Sequence, residues 1–162
     1  MIIRPGTVED IPAVLPLVAR TIAFHEELDE ARFGAVRDAH LRYADWMRRL
    51  AGSASGAFLV AEIDGAIAGF VLGQVQEEYR MYRTGRYGML HDLWVEPERR
   101  RKGIARGLVL AALQRFWQAG VKQVRLDTSA RNTAAQRLFV SCGFRPSVIE
   151  MLAEPTPGEP GG

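Results

Sequence analysis

The residues best suited to chemistry lie in one stretch, Leu90 to Leu113. Its first part, Leu90-His91-Asp92-Leu93-Trp94-Val95, sets an imidazole beside a carboxylate on a short apolar-rich segment. A proline two residues further on, Pro97, ends it, as a strand is ended. Neutral imidazole, with an ordinary pKa near about 6.5, is matched to accepting a proton at neutral pH, so His91 is a candidate base. It reads equally well as a half-buried strand histidine holding a structural hydrogen bond. Asp92 is a second catalytic candidate, although simple strand alternation turns it to the opposite face. The basic run Arg99 to Lys102 comes next, and then Gly103-Ile104-Ala105-Arg106-Gly107. Ile104, Leu108, Val109, Ala112, Leu113 and Phe116 then fall on one face of a helix. The first turn of a helix has unpaired N–H groups and a positive dipole end. Gly103 and Gly107 let a bulky anion approach the backbone closely. The pattern predicts a pyrophosphate seat.

Three other readings of this stretch compete. A charge run is often only a solvated face. The glycines also suggest a dinucleotide fingerprint, with Asp127 roughly ~20 residues downstream. That fingerprint needs a glycine directly after the strand, whereas here a proline and a charged loop intervene, and Leu108 stands where its last glycine should be. Nucleic-acid binding through Arg99 to Lys102 is disfavoured because the cations sit in the expected phosphate loop.

These residues need elements to position them. Met1 to Arg4 reads as a strand, Pro5-Gly6 as a turn and Thr7 as a helix cap with Asp10 three residues on. Ile11, Val14, Leu15, Val18 and Ile22 mark a helix face, with Pro16 expected to kink it. Residues 29 to 50 predict a second helical region, with Val36, His40, Tyr43, Met47 and Leu50 on one face. Ala57 to Ile63 and Ala66 to Val75 predict two strands joined at Asp64-Gly65, a strong two-residue hairpin signal. Glu77 to Gly88 predicts a long hairpin loop or strand extension. Gly120 ends the central helix. Val121 to Asp127 predicts a strand, and Asn132 to Gly143 a short helix. Phe144 to Leu152 predicts a final strand or strand pair. The expected organisation is one domain over residues 1–152 and a flexible Pro/Gly-rich tail over 153–162.

The chain has 162 residues, of which 48% are apolar, enough for a single well-formed core. Lys and Arg number 21 against 19 acidic residues, a balance that does not by itself predict nucleic-acid binding, and no nucleic-acid partner is expected. Cys142 is the one cysteine, so no intrachain disulfide can form, which suits a reducing cytoplasm. No apolar run approaches the ~20 residues of a membrane span, and no signal-peptide pattern follows Met1. His25, His40 and His91 have no metal-ligand spacing, so no metal site is expected.

Two motifs carry a resemblance. Arg100-x-x-Gly103-x-Ala105 resembles the acetyl-CoA loop of the GNAT superfamily of N-acetyltransferases. Asn132-Thr133-Ala134-Ala135-Gln136-Arg137-Leu138-Phe139-Val140-Ser141-Cys142-Gly143-Phe144 is similar to the family's Asn-x-x-Ala-x-x-Leu-Tyr-x-x-x-Gly-Phe. The pair, in this order and spacing, is far more specific than either alone.

The resemblance implies an α/β fold with a mixed, mostly antiparallel sheet that opens between the fourth and fifth strands to admit acetyl-CoA. It implies direct acetyl transfer to an amine, with His91 and Asp92 as catalytic candidates. Leu93, Trp94, Val95, Arg100, Arg101, Lys102, Gly103, Ile104, Ala105, Arg106, Asn132, Ala135 and Phe139 would bind the cofactor. A lysine-like amine has a pKa of about 10.4, so freeing its lone pair at pH 7 costs roughly 4 to 5 kcal/mol and a base is useful. Phe139 stands where the family's usual acid is a tyrosine, and it has no proton to give. That departure is the sole support for a rival reading, an acyl-CoA-binding regulatory module without catalysis. Cys142, one turn beyond Phe139, reads as a small buried hydrophobe. The acceptor, a small amine or a protein amine, is not readable. The expected location is cytoplasmic, with no membrane partner and with a homodimer left open.

Overall fold

The computed structural model describes residues 1–155. Five strands form one mixed sheet in the order β1-β2-β3-β4-β5: β1 Ile2–Pro5, β2 Gly56–Ile63, β3 Ala66–Glu77, β4 Arg86–Val95 and β5 Val124–Leu126. The first four pair antiparallel and β5 joins β4 in parallel. Helices α1 (Ile11–Leu28), α2 (Glu30–Phe33) and α3 (Arg42–Leu50) precede β2, while α4 (Ile104–Gln118) and α5 (Thr133–Ser141) flank β5 in sequence. This is the expected α/β architecture.

The sheet has a packed core on each face because its strands alternate. Ala57, Leu59, Ala61 and Val71 point to one side, where Leu108, Val109, Ala112 and Phe116 of α4 cover them. Phe58, Val60, Phe70 and Leu72 point to the other, under Val14 and Val18 of α1 and Met47 of α3. The β2–β3 turn puts both Asp64 and Gly65 at positive φ (53° and 76°), the geometry a two-residue hairpin requires. Arg4 ties β1 down: it forks onto Asp10 at 2.7 and 2.9 Å and reaches Glu62 on β2 at 3.0 Å. The guanidinium holds the Asp10 carboxyl down at about 2.

Three expectations are corrected. Residues 29 to 50 do not form one helical region. α2 stops after one turn, where the Gly34 N–H closes on the Glu30 carbonyl (2.8 Å), and Val36 lies exposed in the connection; only Met47 and Leu50 of the proposed face are buried. β5 is three residues long rather than Val121 to Asp127, because Val121 turns into the core beside Phe116 instead of pairing. Phe144 to Leu152 makes no strand: Val148, Ile149 and Met151 are solvent-exposed, and Glu150 is held by Arg32. Of the tail expected over residues 153–162, residues 156–162 lie outside the described part.

Phe116 fills the space left by two side chains that are absent. A Cβ at Gly88 would stand 2.7 Å from its ring, and one at Gly73 would stand 3.0 Å from it. Phe116→Ala should therefore lower unfolding free energy by about 3–5 kcal/mol, measured by urea denaturation.

Candidate active site

β4 is the element on which the site is built, and its register with β3 is broken at one place. Leu72 pairs with Asp92 and the next residue, Gly73, pairs with Leu90. His91 is the extra residue of a β-bulge. The bulge overturns the expectation that His91 and Asp92 lie on opposite faces. Tyr43 of α3 donates to Asp92 Oδ1 at 3.2 Å, and Trp46 of the same helix meets the His91 ring edge-on at 5.1 Å. Both side chains thus face the α1/α3 side, while Leu90 before the bulge and Leu93 and Val95 after it face α4.

The two groups sit in different surroundings. Burial pushes the Asp92 carboxyl up to about 6, against a smaller opposing effect of the Tyr43 hydrogen bond. Burial and the Asp92 charge hold the Tyr43 phenol above its ordinary range. His91 lies at the surface, yet crowding around its ring lowers its pKa, partly offset by the charge of Asp127. Gln76 Nε2 is 3.2 Å from His91 Nε2, and the Tyr87 hydroxyl is 2.9 Å from Gln76 Oε1. Trp46 Nε1 donates to Gln74 Oε1 at 3.0 Å. Tyr43, Trp46, Gln74, Gln76 and Tyr87 were not singled out as site residues from the sequence. The signal for the two glutamines lies in β3, where the face that carries Phe70 and Leu72 turns polar at Gln74 and Gln76.

Beyond Leu90, which pairs with Leu126, β4 runs on to Val95 without a partner on the β5 side. The Glu96 N–H bonds to Ala68 O at 2.9 Å, on the β3 side. Alternation then turns the N–H groups of Leu93 and Val95 to the open edge. Val95 O on that edge accepts from Arg100 Nε at 2.9 Å.

The loop after β4 enters α4 through two left-handed residues, Arg101 (φ 61°) and Gly103 (φ 76°). The first bond of the helix is Gly107 N–H to Gly103 O at 2.9 Å, so the N–H groups of Ile104, Ala105 and Arg106 have no backbone acceptor. Arg101, Lys102 and Arg106 are exposed and have no ion-pair partner among the described residues. A cleft of about 160 Å³ lies against this turn, walled by Val95, Arg100, Gly103, Ala105 and Leu138. The unspent donors and three cations fit a diphosphate.

Several expected cofactor residues are placed otherwise than a side-chain contact would need. The Ile104 side chain is buried in the α4 core, leaving only its N–H for a ligand. Trp94 faces the α1 side, edge-on to Phe24 at 5.9 Å, and the Arg100 guanidinium stacks on it at 4.7 Å. Gly107 faces Ile3 of β1, where a Cβ would come within 2.6 Å of Ile3 Cδ1, so this glycine serves helix–strand packing and not an anion. Asn132 caps α5 by accepting from Ala135 N–H at 3.1 Å. Phe139 is half-buried against the α4 core and edge-on to Phe144 at 5.8 Å, with Cys142 packed on the same core. His25 joins Phe24 and Phe33 in an aromatic group at the end of α1. Among the described residues, no three His, Cys, Asp or Glu side chains converge as a metal set would.

β4 thus opens from its neighbour beside a cationic, glycine-led helix start. The acetyltransferase (GNAT) family model matches residues 21–144, and the chain belongs to that family. It is similar to the mycothiol acetyltransferase of Sanguibacter keddieii, 31% identical over 156 residues, which is 94% of this chain but 45% of that protein. The chain therefore spans less than half the length of that relative. It is also 30% identical over 144 residues to the uncharacterized N-acetyltransferase YhfO of Bacillus subtilis, 89% of each chain. Among solved structures, a mutant of the BH1408 protein from Bacillus halodurans superposes with a TM-score of 0.82 at 20% identity, covering 96% of this chain and 100% of that one. The aminoglycoside acetyltransferase AAC(6')-Iy, in complex with a bisubstrate analog, has a TM-score of 0.71 at 20% identity, over 96% and 97% of the two chains. At these identities the two structures speak for the fold alone.

Two measurements check this geometry. Asp92 in the folded state titrates near about 6, above its ordinary 3.8. Between those values the folded protein binds more protons than the unfolded one, so Asp92 makes stability fall as pH rises through that window and adds no further slope above it. The stability of Asp92→Asn relative to the parent should accordingly rise from pH 4 to pH 6, read by chemical denaturation at each pH. Gly103→Glu should weaken CoA binding by well over tenfold by calorimetry, more than ~1.4 kcal/mol, with the circular dichroism spectrum retained.

Proposed function

We propose that this chain is an acetyl-CoA-dependent N-acetyltransferase in which a primary amine attacks the thioester directly. The observation that carries the reading is the bulge. It presents His91 and Asp92 together on one face of β4, beside the open edge and one loop away from the α4 N-terminus. In this reading the N–H groups of Ile104, Ala105 and Arg106 hold the diphosphate, with Arg101, Lys102 and Arg106 supplying charge. Arg100 braces the loop on Val95 O. The open edge of β4 takes the pantetheine arm, and one N–H of Leu93 or Val95 stabilises the carbonyl oxygen as it gains charge. Asn132 and Ala135 flank the arm from α5.

The acceptor amine enters from the α1/α3 side and must lose a proton. We assign that proton to Asp92. One of its oxygens accepts from Tyr43 and the other has no donor among the described residues. A carboxylate titrating near about 6 is ionised at neutral pH, yet basic enough to accept. Glu78, another carboxylate of this region, is taken up by Arg125. The thiolate leaves without a tyrosine, since Phe139 offers none; a thiol of pKa about 8.5 asks for little help. The single cysteine and the absence of a long apolar helix among the described residues suit a cytoplasmic setting.

Release of CoA thiol over a panel of amines tests the reading. It expects release that depends on the amine and a rise in kcat with pH through about 6. Asp92→Asn should flatten that rise and lower kcat by roughly 10²-fold or more. CoA binding without amine-dependent release across the panel would favour the regulatory module instead.

A further inference from the structure

The relay Tyr87–Gln76–His91 has no part in the assignments above. A neutral imidazole carries its proton on one nitrogen only, and the partner of the other nitrogen decides which. A carboxamide has a donating end and an accepting end, so fixing one end fixes what the other presents. The Tyr87 hydroxyl lies 2.9 Å from Gln76 Oε1. The Arg125 guanidinium sits over the Tyr87 ring, 4.0 Å from its centroid, and a cation there makes the phenol a better donor. With Tyr87 donating to Oε1, the amide nitrogen of Gln76 turns to His91 Nε2 at 3.2 Å. An N–H can bond there only to a lone pair. The reversed amide would leave the Tyr87 proton with no acceptor among the described residues.

We propose that Gln76, oriented by Tyr87, is a positioning residue that fixes His91 as the neutral Nδ1–H tautomer. His91 then offers the acceptor side a hydrogen-bond donor and not a base. Its Nε2 lone pair is spent on Gln76, and protonating that nitrogen would set N–H against N–H. The environment agrees. α3 packs Tyr43 and Trp46 on this side, and β4 adds Asp92, whose Oδ1 accepts from Tyr43. Glu78 at the end of β3 is paired with Arg125 of β5, so Asp127 remains as the charge that favours imidazolium. Crowding around the ring outweighs it, and the His91 pKa is lowered. Nδ1 has no hydrogen-bond partner among the described residues and is left to an incoming molecule.

The tautomer is a property of the folded protein and stands apart from the acetyl-transfer reading; its use toward an acceptor rests on that reading. Long-range ¹H–¹⁵N correlation spectra of uniformly labelled protein at pH 7.5 read the tautomer directly. Expected is a protonated Nδ1 and a bare Nε2 for His91. A protonated Nε2, or two tautomers in averaging exchange, would overturn the proposal. Gln76→Glu replaces the donor with an acceptor and should raise the His91 pKa by a unit or more and move the proton to Nε2. If that variant does not fold, Tyr87→Phe frees the amide and should mix the tautomers. An unchanged His91 spectrum in a folded variant would equally overturn it. In the amine assay His91→Asn, which keeps an N–H near Nδ1, should retain about tenfold more kcat/KM than His91→Gln. A null difference there, with the spectra as expected, would leave the tautomer standing and remove its role toward the acceptor.

Discussion

A strand bonded along both edges has no backbone groups to spare, and the whole site depends on β4 being bonded along only one edge for half its length. Up to Leu90 it lies between β3 and β5. From there to Val95 it keeps β3 and loses β5, so the N–H groups of Leu93 and Val95 on the vacated edge have no strand partner. Two features let β4 do this without falling away. Buried Val95 and Trp94 pin it to both cores, and Arg100 bonds to the carbonyl of Val95. The shortness of β5 is therefore what leaves that edge open. A β5 extended through Asp127 would begin to close the opening.

The bulge works with the opening. One extra residue inverts the facing of everything beyond it. It brings two polar side chains to the α3 side while Leu93 and Val95 still face the apolar α4 core. α3 answers with Tyr43 and Trp46, each hydrogen-bonded across to the sheet, so the polar groups are accounted for and the face remains ordered. Raising a carboxyl's pKa by burial works against stability at neutral pH, and a protein tolerates that where the group has work to do.

Much of this was legible because it is local. The Asp64-Gly65 turn, the Arg100 to Ala105 loop, the Asn132 cap and the Gly120 and Gly143 helix stops are each written within a few residues. Each depends on backbone geometry that few residue types adopt. The relation of His91 to Asp92 was not legible, because a bulge is a property of two strands in register and neither strand alone announces it. The break between α2 and α3 was missed because Val36 and His40 happen to keep helical spacing across a stretch whose Gly34 ends the first helix. Phe144 to Leu152 has the composition of a strand, but composition does not supply an edge to pair with. Gln74 and Gln76 could have been found: a polar turn on a face that is apolar upstream is visible in the sequence.

The stacking of Arg100 on Trp94 joins two places otherwise divided by the sheet. The guanidinium belongs to the loop that leads into α4, and the indole belongs to the far side, against Phe24 of α1 and within 3.4 Å of Glu96 through its N–H. Glu96 in turn holds Arg20. Arg100 and α1 therefore share the same indole as a packing partner. One indole thus carries packing from both sides of the sheet, so removing it would loosen the loop that leads into α4 and the α1 face together.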